Sequence, residues 1–338
     1  MDYLDFYGLN QEPFSNAPVS RFYYDSAQHS QALVRLMYAL NAMKGLALLV
    51  GDIGAGKTTL ARRLLDALDE REYEAALLVI IHRDITSDWL LRRIAIQLGV
   101  EHPDADKLVL LSQLYRRLVE IYEQGKKAVV LIDEAQMLDT KALMEEFRGL
   151  LNLEVPERKL LSFVFFGLPE IEDNLKQDPP LAQRVALRVR LNPFDVQSTD
   201  AYVRHRLRMA GAQRTVMDSD AIKMVHRASG GVPRLINTVC DNALLEGGLG
   251  KKQVIDGDLV RSVARNLSLP VEEPITNRDY ELAGPFQSHL PTIVPGAPHT
   301  PPRVTQLPPA ALMSTGNTAA DQALDEIDRV LEALNKLG

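Results

Sequence analysis

The sequence predicts an α/β fold in which a parallel sheet is sandwiched between helices. A smaller helical lid, a proline-rich linker and a terminal amphipathic helix follow it. Three observations predict this. Four strand-length runs, 46–50, 76–81, 128–132 and 161–166, are apolar on both faces, as strands are when helices cover both sides of a parallel sheet. The segments between them, among them 58–68, 88–98 and 107–123, space their apolar residues as amphipathic helices do. From residue 198 the pattern turns wholly helical, with helices expected at 198–209, 219–228, 232–246 and 256–266.

Composition bounds the rest. With 338 residues, 46% hydrophobic and 25% charged, the chain is long enough for two or three domains and excludes collagen-like and wholly disordered classes. Acidic residues outnumber basic ones 45 to 38, for a formal charge of -7, so no global basic footprint for nucleic acid exists. The single cysteine, Cys240, cannot form an internal disulfide and belongs to no metal-spaced cluster; it reads as a small buried hydrophobe in a reducing compartment. No apolar run reaches the ~18 residues of a membrane span, and Met1 to Asp5 is acidic where a signal peptide is basic. The expected location is the cytoplasm.

Ten prolines crowd the stretch from Pro270 to Pro309, which has too few large apolar residues to offset its ordering entropy and reads as a semi-rigid linker. Beyond it, Leu324, Ile327, Val330, Leu331, Leu334 and Leu337 share one helical face. One amphipathic helix of this length is marginal alone, so its stripe needs a partner: this chain's own body, another copy or a different protein.

Gly51-Asp52-Ile53-Gly54-Ala55-Gly56-Lys57-Thr58 fits the pattern GxxxxGK[ST] between the strand at 46–50 and the helix after it. The glycines let the chain curl so that successive backbone N–H groups point at phosphate oxygens, helped by the helix N-terminus. Lys57 supplies positive charge to those oxygens, Thr58 is a natural Mg²⁺ ligand, and Thr59 follows it into the helix. The strand at 128–132 ends in Asp133-Glu134. There Asp133 is expected to face the metal and Glu134 to act as general base for the attacking water. Charge on the transferred phosphoryl group calls for arginine: Arg184, Arg188 or Arg190 before or within the run at 185–190, and Arg234 after a Gly-Gly turn and a proline.

With these pieces in place the chain resembles the AAA+ ATPases of the ExeA/GspA type, the general-secretion-pathway protein A group and its relatives in pilus and exopolysaccharide export loci. The resemblance covers residues 1 to about 267. It rests on the opening Tyr3-Leu4-Asp5-Phe6-Tyr7-Gly8-Leu9, on Pro13-Phe14, Arg21-Phe22-Tyr23-Tyr24, Ser26, His29 and Ala32-Leu33, and on the two phosphate-site motifs with Ala135-Gln136. Leu150-Leu151-Asn152-Leu153-Glu154, Gly167-Leu168-Pro169-Glu170 and Gly231-Val232-Pro233-Arg234-Leu235-Ile236-Asn237 complete it. The resemblance implies an AAA+ nucleotide-binding domain over 1–197, a lid over 198–267, ATP bound with Mg²⁺ at a subunit interface, Arg234 as second sensor and Arg184 as an arginine finger reaching the neighbour's nucleotide. It further implies that Phe22 and Tyr23 lie near the adenine. His29 matches a family position and is assigned no chemistry.

Two departures stand out. Leu168 occupies the first-sensor position where family members carry a polar Gln, so slow turnover is expected, with Gln136 or Asn152 as the polar contact instead. The secretion prototype continues into a membrane span and a peptidoglycan-binding module that this sequence does not show, so direct cell-wall binding is not expected; the linker (268–320) and terminal helix (321–338) take their place. The leading expectation is an ATPase that forms a homo-oligomeric ring or filament and remodels an envelope secretion or export machine, with a partner bringing it to the inner membrane. A duplex-DNA scaffold of the transposition-regulator type is the alternative, resting on the clusters Arg62-Arg63, Arg92-Arg93, Arg116-Arg117 and Arg204-His205-Arg206-Arg208. A third possibility is an ATP-gated interaction module with negligible turnover.

Overall fold

In the computed structural model, residues 3–16, 20–156 and 158–271 are described. The expected terminal helix, and the linker beyond residue 271, lie outside them. A short helix α1 (Tyr3–Tyr7) and α2 (Ala27–Asn41) precede β1 (Leu46–Gly51), α3 (Lys57–Ala67), β2 (Tyr73–Val79), α4 (Ser87–Gln97), α5 (Lys107–Glu123) and β3 (Lys127–Asp133). Next come α6 (Lys141–Leu150), a small hairpin β4 (Glu154–Val155) and β5 (Arg158–Lys159), β6 (Leu161–Gly167), α7 (Glu170–Leu175), α8 (Pro179–Ala182) and β7 (Val185–Leu191). The remaining helices are α9 (Val196–Met209), α10 (Ser219–Ser229), α11 (Pro233–Leu249) and α12 (Gly257–Asn266). The main sheet is parallel, in the order β2-β3-β6-β1-β7.

The doubly apolar strands explain this layering. Along β1, Leu46, Leu48 and Val50 enter one core with α4, α5 and α6, while Ala47 and Leu49 enter a second core with α2 and α3. The same alternation sorts β3 (Val130 and Ile132 against Val129 and Leu131) and β6 (Phe163 and Phe165 against Val164 and Phe166). Successive side chains point to opposite faces, so each central strand serves both cores, and each buried Leu or Phe contributes roughly 1.5–3 kcal/mol. Side-chain oxygens cap the covering helices: Thr86 accepts from Trp89, Asp106 from Leu108 and Val109, and Thr140 from Leu143.

Two elements differ from the sequence expectation. The second strand begins at Tyr73 rather than 76, because it pairs with β3 in register from Tyr73↔Lys127 to Val79↔Asp133. The strand β7 was not expected. Its Ala186, Arg188 and Arg190 are exposed while Val189 and Leu191 are buried, as suits an edge strand protected by charge, so it lacks the continuous apolar run of its neighbours.

The lid has a core of its own, built from α9 to α12. Tyr7, Leu9, Phe14 and Phe22, which the sequence reading grouped with the sheet, belong to that core. Tyr7 donates its hydroxyl to the Lys252 carbonyl at 3.0 Å, and the Asn10 N–H bonds the Ala210 carbonyl at 2.8 Å. Leu269 and Val271 also pack here, so the lid runs past residue 267. Cys240 is buried within it and burial raises its thiol pKa. Among the described residues no helix is long and apolar enough to cross a membrane.

Candidate nucleotide-binding site

The site forms where the sheet's strand ends meet the lid. β1 stops at Gly51, and the loop to α3 passes through Gly54 (φ +79°) and Gly56 (φ +96°), left-handed conformations that glycine adopts without steric cost. Ile53 to Thr59 then line a cavity of about 610 Å³, within the ~300–1,000 Å³ of small-ligand sites. Gly51 and Asp52 contribute from behind: their carbonyls accept the Lys57 ammonium at 2.8 and 3.0 Å. Lys57 is buried, which lowers its pKa, while Glu134, Asp133, Asp52 and Glu170 pull it back upward. A desolvated ammonium at a glycine turn that opens a helix favours a polyphosphate, which returns a strong counter-charge to it.

β3 delivers Asp133 and Glu134 to the same end of the sheet. Asp133 is 1% exposed; one carboxylate oxygen accepts the Glu134 N–H at 3.0 Å, and Oδ2 is buried without a hydrogen-bond partner. Burial raises its pKa, opposed mainly by the Thr58 hydroxyl. An orphaned acidic oxygen beside a threonine hydroxyl fits a divalent cation with oxygen ligands. Thr58 and Asp133 are therefore the residues that would hold Mg²⁺, which would neutralise phosphate charge there. Glu134 lines the cavity and takes a left-handed backbone (φ 56°, ψ 37°).

The lid closes the opposite wall. Pro233 starts α11, and the Arg234 N–H bonds the Gly54 carbonyl at 3.3 Å. The Arg234 side chain is exposed, lines the cavity and makes no side-chain hydrogen bond or ion pair among the described residues. Leu168, at the end of β6, lines the cavity too. Arg184 does not. Its guanidinium bonds the Arg148 carbonyl and Asn152 Oδ1, outside the cavity of its own chain. Arg188 and Arg190 both face Glu172, at 3.8 and 3.0 Å.

Phe22 and Tyr23 line the cavity, together with Tyr24, Phe194 and Tyr202. Two sets of contacts go beyond the sequence expectations, which mark His29 only as a family position without chemistry and Arg206 only as part of a basic cluster. His29 is buried and bridges the Ala55 carbonyl (Nε2, 3.3 Å) and the Ser26 hydroxyl (Nδ1, 2.7 Å), bracing the glycine turn from beneath. The second is a buried polar network on the lid side. Arg206 Nη1 donates to the Tyr202 hydroxyl at 2.7 Å and Asn237 Oδ1 at 3.2 Å, Nη2 donates to the Ser15 carbonyl at 3.0 Å, and Asn237 Nδ2 reaches Asn16 at 3.1 Å. The available signal was spacing: Arg206 follows Tyr202 by four residues and shares a face with Val203 and Leu207.

The placement also reads the basic clusters. Arg206 is 6% exposed, Arg62 and Arg63 line the cavity, and Arg204 pairs with Asp200. Arg92 donates to the Pro103 and Asp104 carbonyls, and Arg117 to the Leu98 carbonyl. Arg206, Arg92 and Arg117 are thus engaged within the chain, while Arg62, Arg63, Arg93, Arg116 and Arg208 are exposed.

Known proteins resemble this chain in sequence and in fold. Residues 41–175 match the family model described as an AAA domain. General secretion pathway protein A of Aeromonas hydrophila is 39% identical over 261 residues, which is 76% of this chain and 47% of that protein, so the chain spans about half the length of the curated relative it matches. Among solved structures, the ORC2 protein of Aeropyrum pernix superposes with a TM-score of 0.58 at 16% identity, covering 80% of this chain and 74% of that one. Cdc6p of Pyrobaculum aerophilum gives 0.57 at 19%, covering 79% and 73%. At such identities these two likenesses speak for the fold alone. The fold is that of the AAA+ P-loop proteins, and over 76% of its length the chain is similar to general secretion pathway protein A, in line with the ExeA/GspA resemblance of its motifs.

Proposed function

We propose that the chain binds ATP with Mg²⁺ in this cavity, hydrolyses it at an interface between copies of itself, and uses the cycle to drive assembly or remodelling of an envelope secretion or export machine. The observation that carries the reading is the convergence, on one 610 Å³ cavity, of the glycine turn, the Lys57 side, Glu134 and Arg234. In the proposed reaction a water oxygen bonds the γ-phosphorus, the bond from that phosphorus to the β,γ-bridging oxygen breaks, and the water's proton passes to Glu134. Lys57 and the loop N–H groups hold the phosphates, and Arg234 reads the nucleotide from the lid. Arg184, turned away from its own chain's cavity, acts on the nucleotide of a neighbouring copy. The export role takes its support from the name of the Aeromonas relative; cytoplasmic location, and recruitment to the inner membrane by a partner of the 321–338 segment, belong to the same proposal. The engagement of Arg92, Arg117 and Arg206 within the chain, and the formal charge of -7, weigh against the duplex-DNA alternative.

ATP turnover by the purified chain, with Lys57→Ala and Glu134→Gln alongside, tests it. The expected result is lost nucleotide binding for Lys57→Ala and tight ATP binding with only a small residual turnover for Glu134→Gln. Unchanged turnover in both would sink the reading.

A further inference from the structure

A polar side chain is missing where β6 ends, since Leu168 presents only methyl groups to the cavity. The structure fills that place from another element. After Glu134 the chain makes a tight 3-10 turn, Ala135–Met137, and this folds the Gln136 carboxamide back between Glu134 and Leu168. Its Nε2 donates to Glu134 Oε2 at 2.6 Å. Its Oε1 accepts the Leu168 N–H at 3.0 Å, and its own carbonyl accepts Asn174 Nδ2 at 2.9 Å. The side chain is 5% exposed, and a Cβ at Gly167 would come within 3.2 Å of its Oε1, so the strand end is shaped to admit it.

We infer that Gln136 is the positioning residue for Glu134, holding one carboxylate oxygen through Nε2 so that the other is aimed at the attacking water, in the role a polar side chain at 168 would otherwise share. The inference rests on the ATPase reading above and names the residue that sets its base. The amide cannot flip without placing Oε1 against the Glu134 carboxylate and Nε2 against the Leu168 N–H, so its orientation is fixed by both partners. A base oriented by a third group that is itself anchored is the arrangement proton transfer from water requires. Through the Leu168 and Asn174 bonds, the position of Glu134 also follows the end of β6 and α7.

The test is steady-state ATP hydrolysis and equilibrium binding of a fluorescent ATP analogue by the full chain, comparing Gln136→Leu and Gln136→Glu with the unaltered protein. Gln136→Glu keeps the size and the acceptor for Leu168 while turning a carboxylate toward Glu134, so it probes positioning even if the leucine variant fails to fold. Both are expected to lower kcat by about ten- to a hundredfold, with analogue affinity within about twofold of the unaltered protein. Neither is expected to lower turnover further in a Glu134→Gln background, because residues that act as a unit are not additive. Unchanged kcat in the folded variants overturns the assignment, as does an equal loss in the Glu134→Gln background or a loss carried wholly by affinity. Turnover by the unaltered chain separates the failures: if it hydrolyses ATP and the variants match it, only the Gln136 assignment falls; if it binds ATP without turnover, the hydrolytic reading falls with it.

Discussion

The lid rests on the phosphate loop through Gly54 and Arg234. The Arg234 N–H meets the Gly54 carbonyl at 3.3 Å, and a Cβ built on Gly54 would lie 2.6 Å from the Arg234 Cβ. The loop and lid therefore share a contact that only a glycine at 54 permits. Gly54→Ala adds strain at a positive φ, of order 1–3 kcal/mol, and drives a methyl group into α11. The expected outcome is a loss of nucleotide affinity of tenfold or more in a fluorescence titration. Far-ultraviolet circular dichroism should stay unchanged, since the clash is confined to the loop–lid contact. Native-like affinity in that variant would show that the lid does not bear on the loop in solution.

His29 links stability to pH. Burial holds its imidazole below the ordinary 6.5, against the raising effects of the Ala55 carbonyl and Asp25. The unfolded chain therefore binds a proton that the folded one resists, so the stability this creates is complete above about pH 6.5 and is lost as pH falls toward the folded value. His205 and His226 are lowered by burial as well and carry the same sign; Asp133, raised from 3.8, opposes them at the acid end. Thermal melting should show Tm falling between pH 7.5 and 5.5, with a shallower fall in His29→Gln. An identical slope in that variant would remove His29 from the account.

Arg206 separates a nucleotide role from a nucleic-acid role. Its guanidinium lies 5.1 Å over the Phe22 ring and bonds Tyr202, Asn237 and the Ser15 carbonyl on the cavity wall. Arg206→Met keeps the apolar bulk and removes the guanidinium's bonds to the Tyr202 hydroxyl, Asn237 Oδ1 and the Ser15 carbonyl, while Asn237 Oδ1 still accepts from Tyr202; the expected cost is roughly 1–3 kcal/mol. Isothermal titration should show ATP affinity falling several-fold. If duplex binding were this arginine's task, the salt-dependent DNA affinity would fall in place of the nucleotide affinity.

The contrast between what the sequence revealed and what it concealed follows from the range of the interactions. The glycine turn, Lys57, Thr58 and Asp133 were legible because phosphate chemistry imposes a local spacing on a strand end, and β1, β3 and β6 were legible because burial on both faces leaves an unbroken apolar run. The edge strand β7 hid behind its alternating arginines. The packing of Tyr7, Phe14 and Phe22 into the lid joins the two ends of the described chain, which no periodicity records. The contacts of His29, marked in the sequence only as a family position, and of Arg206, marked only by a basic cluster and its spacing from Tyr202, were hidden for the same reason: each forms only when distant elements, the α2 N-terminus and the glycine turn for one, the 15–16 segment and α11 for the other, come together around the cavity.

Arg184 supplies the sharpest test of the subunit arrangement. It sits just before β7, hydrogen-bonded to Asn152 and to the Arg148 carbonyl, and takes no part in lining its own chain's cavity. If its charge serves a neighbour's nucleotide, Arg184→Ala should bind ATP normally and lose turnover by about 10³-fold, the low end of the effect of an arginine finger. Lys57→Ala should lose turnover because its own cavity no longer holds phosphate, yet it keeps an intact Arg184. Mixed in equal amounts, the two inactive proteins would form interfaces that pair a working cavity from one copy with a working arginine from the other. Activity should then reappear at a substantial fraction of the unaltered rate, rising with total concentration as copies associate. A mixture that stays inactive while light scattering shows the two variants co-assembling would mean that Arg184 does not act across the interface, and its role would be confined to tethering α6 and the Asn152 turn.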